Sequence, residues 1–390
     1  MKTLQSLLLT AAAVTLSLAS CQKNQPVFVE EPALEGPTGV IAVNIRTATD
    51  NSTKSTVLSD QAIKTVQLFV FDGENLETSK YFANYDPSTT DLKITAKEGN
   101  GKTLYVVLNA DRLKFSTKSC FENPSSQNAE HFAPLSKNTS SNLIMVGKQT
   151  VNVKEYDANK SKTDNSTADV YVKRLTAMIK LEKVTVDFRN TALETGTLKI
   201  QEIYLTNVVG YHPYGVKSIG DGTAERGMPA LGNSTDNPRF NNLEYWYNKA
   251  MLQNSGYPAM TYDAISESQS GNGSVNGTGM TLGNIFLAYP NAATEYQSGN
   301  SLTGPVHTCL VIKALVSSGS NIDTPFTDKT TYYTFDLPEL EPNKQYLIKN
   351  INITMLGADQ PGERIVTGKM APVIHVENWT DGNVDLNYDF

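Results

Sequence analysis

The chain has little of the chemistry most proteins use to hold metals, cross-link themselves or catalyse reactions. Its 390 residues include three cysteines, four histidines and two tryptophans. The histidines, His131, His212, His307 and His375, are scattered and none sits at a metal-ligand spacing. Cys120 and Cys309 are far apart, so two buried thiols are expected rather than one disulfide between them, and no CxxC motif or disulfide framework exists. There is no HExxH, no GxSxG, no phosphate loop and no dinucleotide fingerprint. The Gly/Ser/Asn-rich stretch 266–284 lacks the Lys-Ser/Thr and following helix that phosphate binding needs, and reads as a surface loop. His212 and Glu244 are the least bland polar positions, and both read as structural or surface residues. Basic residues are outnumbered, 33 Lys and Arg against 40 Asp and Glu for a net charge of −7, and no basic patch occurs. That balance excludes a nucleic-acid partner. No enzyme and no cofactor are expected.

Long apolar runs are also missing beyond the first residues, so no stretch has the roughly 20 apolar residues of a membrane helix. The N-terminus is different. Lys2 supplies a positive charge, Leu7 to Leu18 an apolar run, and Leu18-Ala19-Ser20-Cys21 a small-residue cleavage site ending in a thiol. This is the pattern of a bacterial lipoprotein signal, with Cys21 as the lipid acceptor. A plain signal peptide with a chance cysteine is the alternative. Any anchor is then lipid rather than protein.

What the chain does have is strand-forming sequence: 18 tyrosines, 13 phenylalanines and repeated period-2 patterns. Strands are expected at 63–71, 81–85, 91–96, 102–110, 143–147 and 149–154, with a turn at Asp72-Gly73-Glu74-Asn75. Short helical turns and loop fill 111–142. The polar run 160–169 reads as a linker, and 170–188 as one long strand with a bend, because its apolar phase slips. Further strands are expected at 201–209, 284–289, 307–316, 331–337, 345–356 and 371–378, and one helix at 243–253. The expected division is a signal peptide at 1–20 and a lipidated propeptide at 21–54. A first mostly-β domain follows at 55–168 and a second at 169–390.

Two short stretches organise this reading. Ile41, Val43 and Ile45 alternate with Ala42, Asn44 and Arg46 as a half-buried strand. A polar, anchorless run follows, in which Lys54-Ser55 is a bond that a trypsin-like protease can reach. Arg46 is an alternative site, protected by its place in the strand. An ordinary edge strand with a long connection is the plainer reading. At the far end Val384, Leu386, Tyr388 and Phe390 alternate with Asp385, Asn387 and Asp389 behind an Asp381-Gly382 turn. Removing the first strand would forfeit roughly 1.5–3 kcal/mol of burial per apolar side chain and expose unpaired backbone. The tail at 381–390 could refill that place in another subunit, or could simply pack on its own domain.

In their order and spacing, LASC, GVIAVNIRT, IKTVQLFVFDGEN, KTLYVVLNA, LIMVGK, VKRLTAMIKLEKVTV, IFLAYPN, NKQYLIKNINITMLGADQPGE and VIHVENWTDGN resemble the FimA-type fimbrillins, the type V pilins of Bacteroidetes. The resemblance covers nearly the whole chain. It implies two transthyretin-like antiparallel β-sandwich domains and a structural subunit of a cell-surface fimbria serving adhesion, biofilm and host colonisation. It further implies export as a palmitate-bearing outer-membrane lipoprotein, cleavage by a trypsin-like protease, and donor-strand exchange with neighbouring fimbrial subunits. The family's cut falls on Lys54-Ser55, where the family is best known for an arginine. A tip or anchor subunit of the same fimbria is the second reading. A surface glycan-binding lipoprotein is the third, although Tyr245, Trp246 and Tyr247 are adjacent and cannot share one face of a strand.

Overall fold

The computed structural model describes residues 34–47, 63–124, 129–139, 142–159, 165–206, 209–215 and 308–359. It also describes short pieces at 228–229, 268–270, 280–290, 295–298, 301–305 and 374–378. The strands in the first part of the chain are β1 (Thr38–Thr47), β2 (Val66–Asp72), β3 (Asn75–Phe82), β4 (Lys93–Lys97), β5 (Gly99–Leu108), β6 (Phe132–Pro134), β7 (Met145–Val153) and β8 (Ser166–Arg174). Next come β9 (Ala177–Val186), β10 (Thr197–Thr206), β11 (Val209–Pro213), β12 (Met228–Pro229), β13 (Ser268–Ser270) and β14 (Met280–Ala288). The last are β15 (Glu295–Ser298), β16 (Ser301–Pro305), β17 (Cys309–Ser317), β18 (Lys329–Asp336), β19 (Lys344–Ile348), β20 (Ile351–Ile353) and β21 (Ile374–Asn378). Among the described residues one α-helix, α1 (Lys118–Glu122), lies among the short helical turns expected between 111 and 142. The helix expected at 243–253 lies outside the described residues.

The fold is mostly β, as the patterning predicts. Seven strands form one mixed sheet in the order β3-β2-β5-β7-β8-β1-β4. One core draws its side chains from this sheet, its β4–β5 neighbourhood and the segment before β7. The sheet therefore curls around its own interior. The central strands are apolar on both faces for a reason visible in β2. Val66, Leu68 and Val70 enter the inner core, while Phe69 and Phe71 enter a second core on the outside. β5 divides in the same way, Leu104, Val106 and Leu108 inward, Tyr105 and Val107 outward. Both sets keep period 2, but the near-continuous apolar run hides it. The expected turn between β2 and β3 is present, with Gly73 at φ +58°, where glycine carries no steric penalty.

α1 and the segment around it cover the outer face of β2 and β5. Thr117 caps the helix, its hydroxyl accepting from the Cys120 amide at 3.2 Å. Phe121 on α1 packs 4.5 Å from the Tyr105 ring and 4.8 Å from Phe115, measured between ring centroids. This aromatic layer continues into the second sandwich, formed by the sheets β13-β10-β17-β18 and β14-β9-β19-β21 with β20 extending beside β9. The small sheet β12-β11-β6 draws strands from both parts of the chain.

The single long strand expected over 170–188 is instead two strands in two sheets. β8 ends at Arg174 in the first sheet, and β9 begins at Ala177 in the second. The first slip of apolar phase marks that transfer. The second, between Leu181 and Val184, matches a bulge opposite Thr281 and Asn284 of β14. The expected division at 168/169 therefore falls within β8, which pairs with β7 and β1. Likewise the strand expected over 345–356 is two strands, β19 and β20, both parallel to β9. Of the two cysteines expected as thiols, Cys309 is a buried thiol, so it does not pair with Cys120. Cys120 is a correction to that expectation: it is buried and disulfide-bonded rather than a thiol.

His212 on β11 is buried where the two parts of the molecule meet. Its Nδ1 donates to the Pro213 carbonyl at 2.6 Å, its ring lies 5.3 Å from that of Tyr289, and its Nε2 has no hydrogen-bond partner. Burial pulls its pKa down from 6.5 to about 4. On acidification the unfolded chain binds this proton first and the folded chain only near pH 4. Stability should therefore fall as pH drops from about 6.5 to about 4, by up to about 3 kcal/mol, and level off below. Denaturation midpoints measured across that range should show a shallower acid loss in His212→Gln. An unchanged slope would mean that His212 is not the group responsible.

Candidate functional site

β1 is the site the sequence points to. Its Ile41 is fully buried, Val43 is 6% exposed, and Ile45 packs partly buried against the same inner core. The expected alternation is thus present with its apolar face inward. The plainer reading, an ordinary edge strand, is not met. β1 lies inside the sheet, antiparallel to β4 from Thr38↔Lys97 to Ala42↔Lys93, and parallel to β8 from Ile41↔Ser166 to Thr47↔Val172. It is second from the sheet's end, and β4 beyond it is only five residues long.

Further bonds fasten both ends of β1. The Glu98 amide donates to the Pro37 carbonyl and the Val43 amide to the Leu92 carbonyl, each at 2.9 Å. On the outer face Asn44 Nδ2 donates to Asp169 Oδ1 at 3.0 Å, and Arg46 Nη2 lies 3.2 Å from the same oxygen. Arg46 therefore occupies a hydrogen-bonded strand, in register with Tyr171 of β8. A protease needs an extended, accessible backbone, so that bond is shielded while β1 is in place.

Gly39 is a packing necessity. A Cβ there would come within 1.9 Å of the Lys154 carbonyl oxygen and 2.8 Å of Val153 Cγ1. A glycine inside a strand signals such a close approach, so the sequence carried this hint. What no local signal could supply is the identity of β8 as the parallel partner, 125 residues away at Asn44–Asp169.

Beside the start of β1, the two ends of the sheet meet through a buried ion pair. Lys102 on β5 is 2% exposed and pairs with Glu77 on β3, itself 6% exposed. The other oxygen of Glu77 accepts from the Lys97 amide on β4 at 2.6 Å, and Asp72 Oδ2 stands 3.5 Å from the Lys102 ammonium. Glu77 thereby ties edge strand β3 to edge strand β4, the neighbour of β1.

Among the described residues no three His, Cys, Asp or Glu side chains converge on a metal position. The expected lipid acceptor Cys21, the bond Lys54-Ser55, and the tail residues Val384, Leu386, Tyr388 and Phe390 all lie outside the described residues. Glu244 and the cluster Tyr245-Trp246-Tyr247 do as well.

No protein-family model matches the chain, and no curated protein matches it. Solved structures do. A candidate cell adhesion protein of Bacteroides eggerthii DSM 20697 aligns over 89% of this chain and 97% of its own, at 18% identity and a TM-score of 0.56. A second, from Parabacteroides distasonis ATCC 8503, aligns over 88% of this chain and 100% of its own, at 17% identity and a TM-score of 0.56. A fimbrilin of Porphyromonas gingivalis W83 aligns over 89% of this chain and 98% of its own, at 17% identity and a TM-score of 0.48. At such identities the likeness to the first two establishes a shared fold.

Proposed function

We propose that this chain is a structural subunit of a cell-surface fimbria, delivered to the outer membrane as a lipoprotein on Cys21 and polymerised by strand exchange after proteolysis. One observation carries the reading. β1 is the first described strand, yet it fills an interior place in the sheet, and residues 48–65 join it to β2. A single cut in that connection therefore frees a strand whose departure opens the inner core between β4 and β8. A row of backbone groups on both walls would then lack partners, and an apolar slot would face water. Such a slot is a receptor for a strand from another chain. Because the donor and the slot are different surfaces, the contact is head-to-tail and propagates into a filament. The partners are copies of this chain, accessory tip or anchor subunits, and a trypsin-like maturation protease.

A fold shared with two candidate cell adhesion proteins supports this reading. It assigns the chain no catalytic role. A tip or anchor subunit would keep the same fold and differ in whether β1 is removed. A glycan-binding lipoprotein would draw on Tyr156 and Tyr171, 53% and 55% exposed, and makes no use of the position of β1.

The test is the N-terminus of the subunit after limited trypsin treatment. A fragment beginning at Ser55 is expected, because Lys54 is the basic residue in a polar connection while Arg46 is held in the ladder. Intact precursor, or cleavage confined to β2, would sink the removable-strand reading.

A further inference from the structure

The C-terminal tail repeats the pattern of β1 when both are written in the same direction. Gly39-Val40-Ile41-Ala42-Val43-Asn44-Ile45-Arg46 and Gly382-Asn383-Val384-Asp385-Leu386-Asn387-Tyr388-Asp389 agree at the glycine, at three apolar positions and at the asparagine. We infer that the tail of a second copy enters the vacated place in the direction of β1, parallel to β8 and antiparallel to β4, with Gly382 where Gly39 was. The inference rests on the strand-exchange reading above and adds to it a direction and a register.

Three features of the site select this arrangement. The position of Gly39 has no room for a side chain, since a Cβ would meet the Lys154 carbonyl oxygen at 1.9 Å. Backbone cannot yield as the end of a flexible side chain can, so any strand spanning that position needs glycine there. In this register Gly382 supplies it. Asn387 then takes the place of Asn44, where an amide donates to Asp169 at 3.0 Å. The third feature is a gradient of space. Ile41 is fully enclosed while Ile45 is only partly buried. The same-direction register puts the smallest apolar residue, Val384, in the closed end, and Tyr388 at the open end, where its hydroxyl reaches water.

The reverse direction, with all three apolar places filled, would drive either Phe390 or Tyr388 into the place of Ile41. A ring larger than isoleucine in a closed core overpacks it. In the direction of β1, by contrast, Asp385 stands on the outer face across from Lys93, which faces Ala42 in β1. Asp389 replaces Arg46 beside Asp169, one unfavourable pairing. Asp169 is 49% exposed, so solvent screens it.

Paired cysteines separate the two directions. Ala42 is in register with Thr167 of β8, and Arg46 with Tyr171. Full-length precursor carrying Asp385→Cys with Thr167→Cys should, after protease treatment and oxidation, give a ladder of covalent multimers on a non-reducing gel. Asp385→Cys with Tyr171→Cys should give none. Gly382→Val should fold as the precursor and lose filaments. A ladder from the Tyr171 pair overturns the direction, and wild-type filament yield from Gly382→Val overturns the register. Filaments with neither pair cross-linked overturn both. If processed wild-type protein forms no filaments at all, the strand-exchange reading itself fails, a result distinct from the others.

Discussion

A precursor lacking Val384 to Phe390 should melt where the full-length precursor melts, be cleaved at the same bond, and form no filaments. In the precursor β1 already fills the place between β4 and β8, so the tail has no vacancy to occupy in its own subunit. Its removal then costs the monomer little. After cleavage the balance changes. The freed β1 no longer competes at the high effective concentration that covalent connection provides. A tail entering the slot buries apolar side chains at roughly 1.5–3 kcal/mol each and restores both backbone ladders. Without the tail nothing replaces them, and assembly stops at the monomer. Thermal unfolding of the truncated precursor and electron microscopy after protease treatment check the two halves. A marked fall in melting temperature would show the tail packing on its own domain. Filaments from the truncated protein would rule out its donor role.

Glu77→Ala should destabilise the precursor by about 3–5 kcal/mol, the usual consequence of stranding a buried charge. Lys102, 2% exposed, would keep only Asp72, at 3.5 Å and largely in solvent, while the Lys97 amide would lose its acceptor. The effect concerns assembly as well as stability, because Glu77 ties β3 to β4 and β4 forms one wall of the slot that β1 fills. Replacing both partners, Glu77→Leu with Lys102→Met, should recover most of the loss, since the charges then leave together. Urea midpoints of the three proteins provide the comparison. A loss below about 1 kcal/mol in the single variant would mean the pair is solvated and that β3–β4 closure depends on other contacts.

Much of the element list was legible in the sequence because alternation is a local property. β1, β2, β17 and β18 lie close to where their period-2 runs predict, and the Asp72–Asn75 turn follows from its glycine. The errors share a cause. From 170 to 188 apolar residues alternate with polar ones, with a slip of phase that reads equally well as a bend or as a passage between sheets. Only the pairing of β8 with β1, and of β9 with β14 and β19, distinguishes them. The same limit made β1 look like an edge strand, since one buried face with a polar opposite face suits an edge and an interior strand alike.

The sequence by itself determined that Ile41, Val43 and Ile45 would face a core and that a polar connection follows them. It also determined that the tail carries the same alternation behind a glycine. These depend on residue order within a few positions, where side-chain direction repeats every two residues. Tertiary structure alone decided that β1 runs parallel to β8 and antiparallel to β4, that Gly39 lies against the Lys154 carbonyl, and that Asp169 receives Asn44. Those contacts join residues from 51 positions apart, as Ala42 and Lys93 are, to 125 apart, as Asn44 and Asp169 are. Curling of the whole sheet selects them, and nothing within one strand encodes its neighbours.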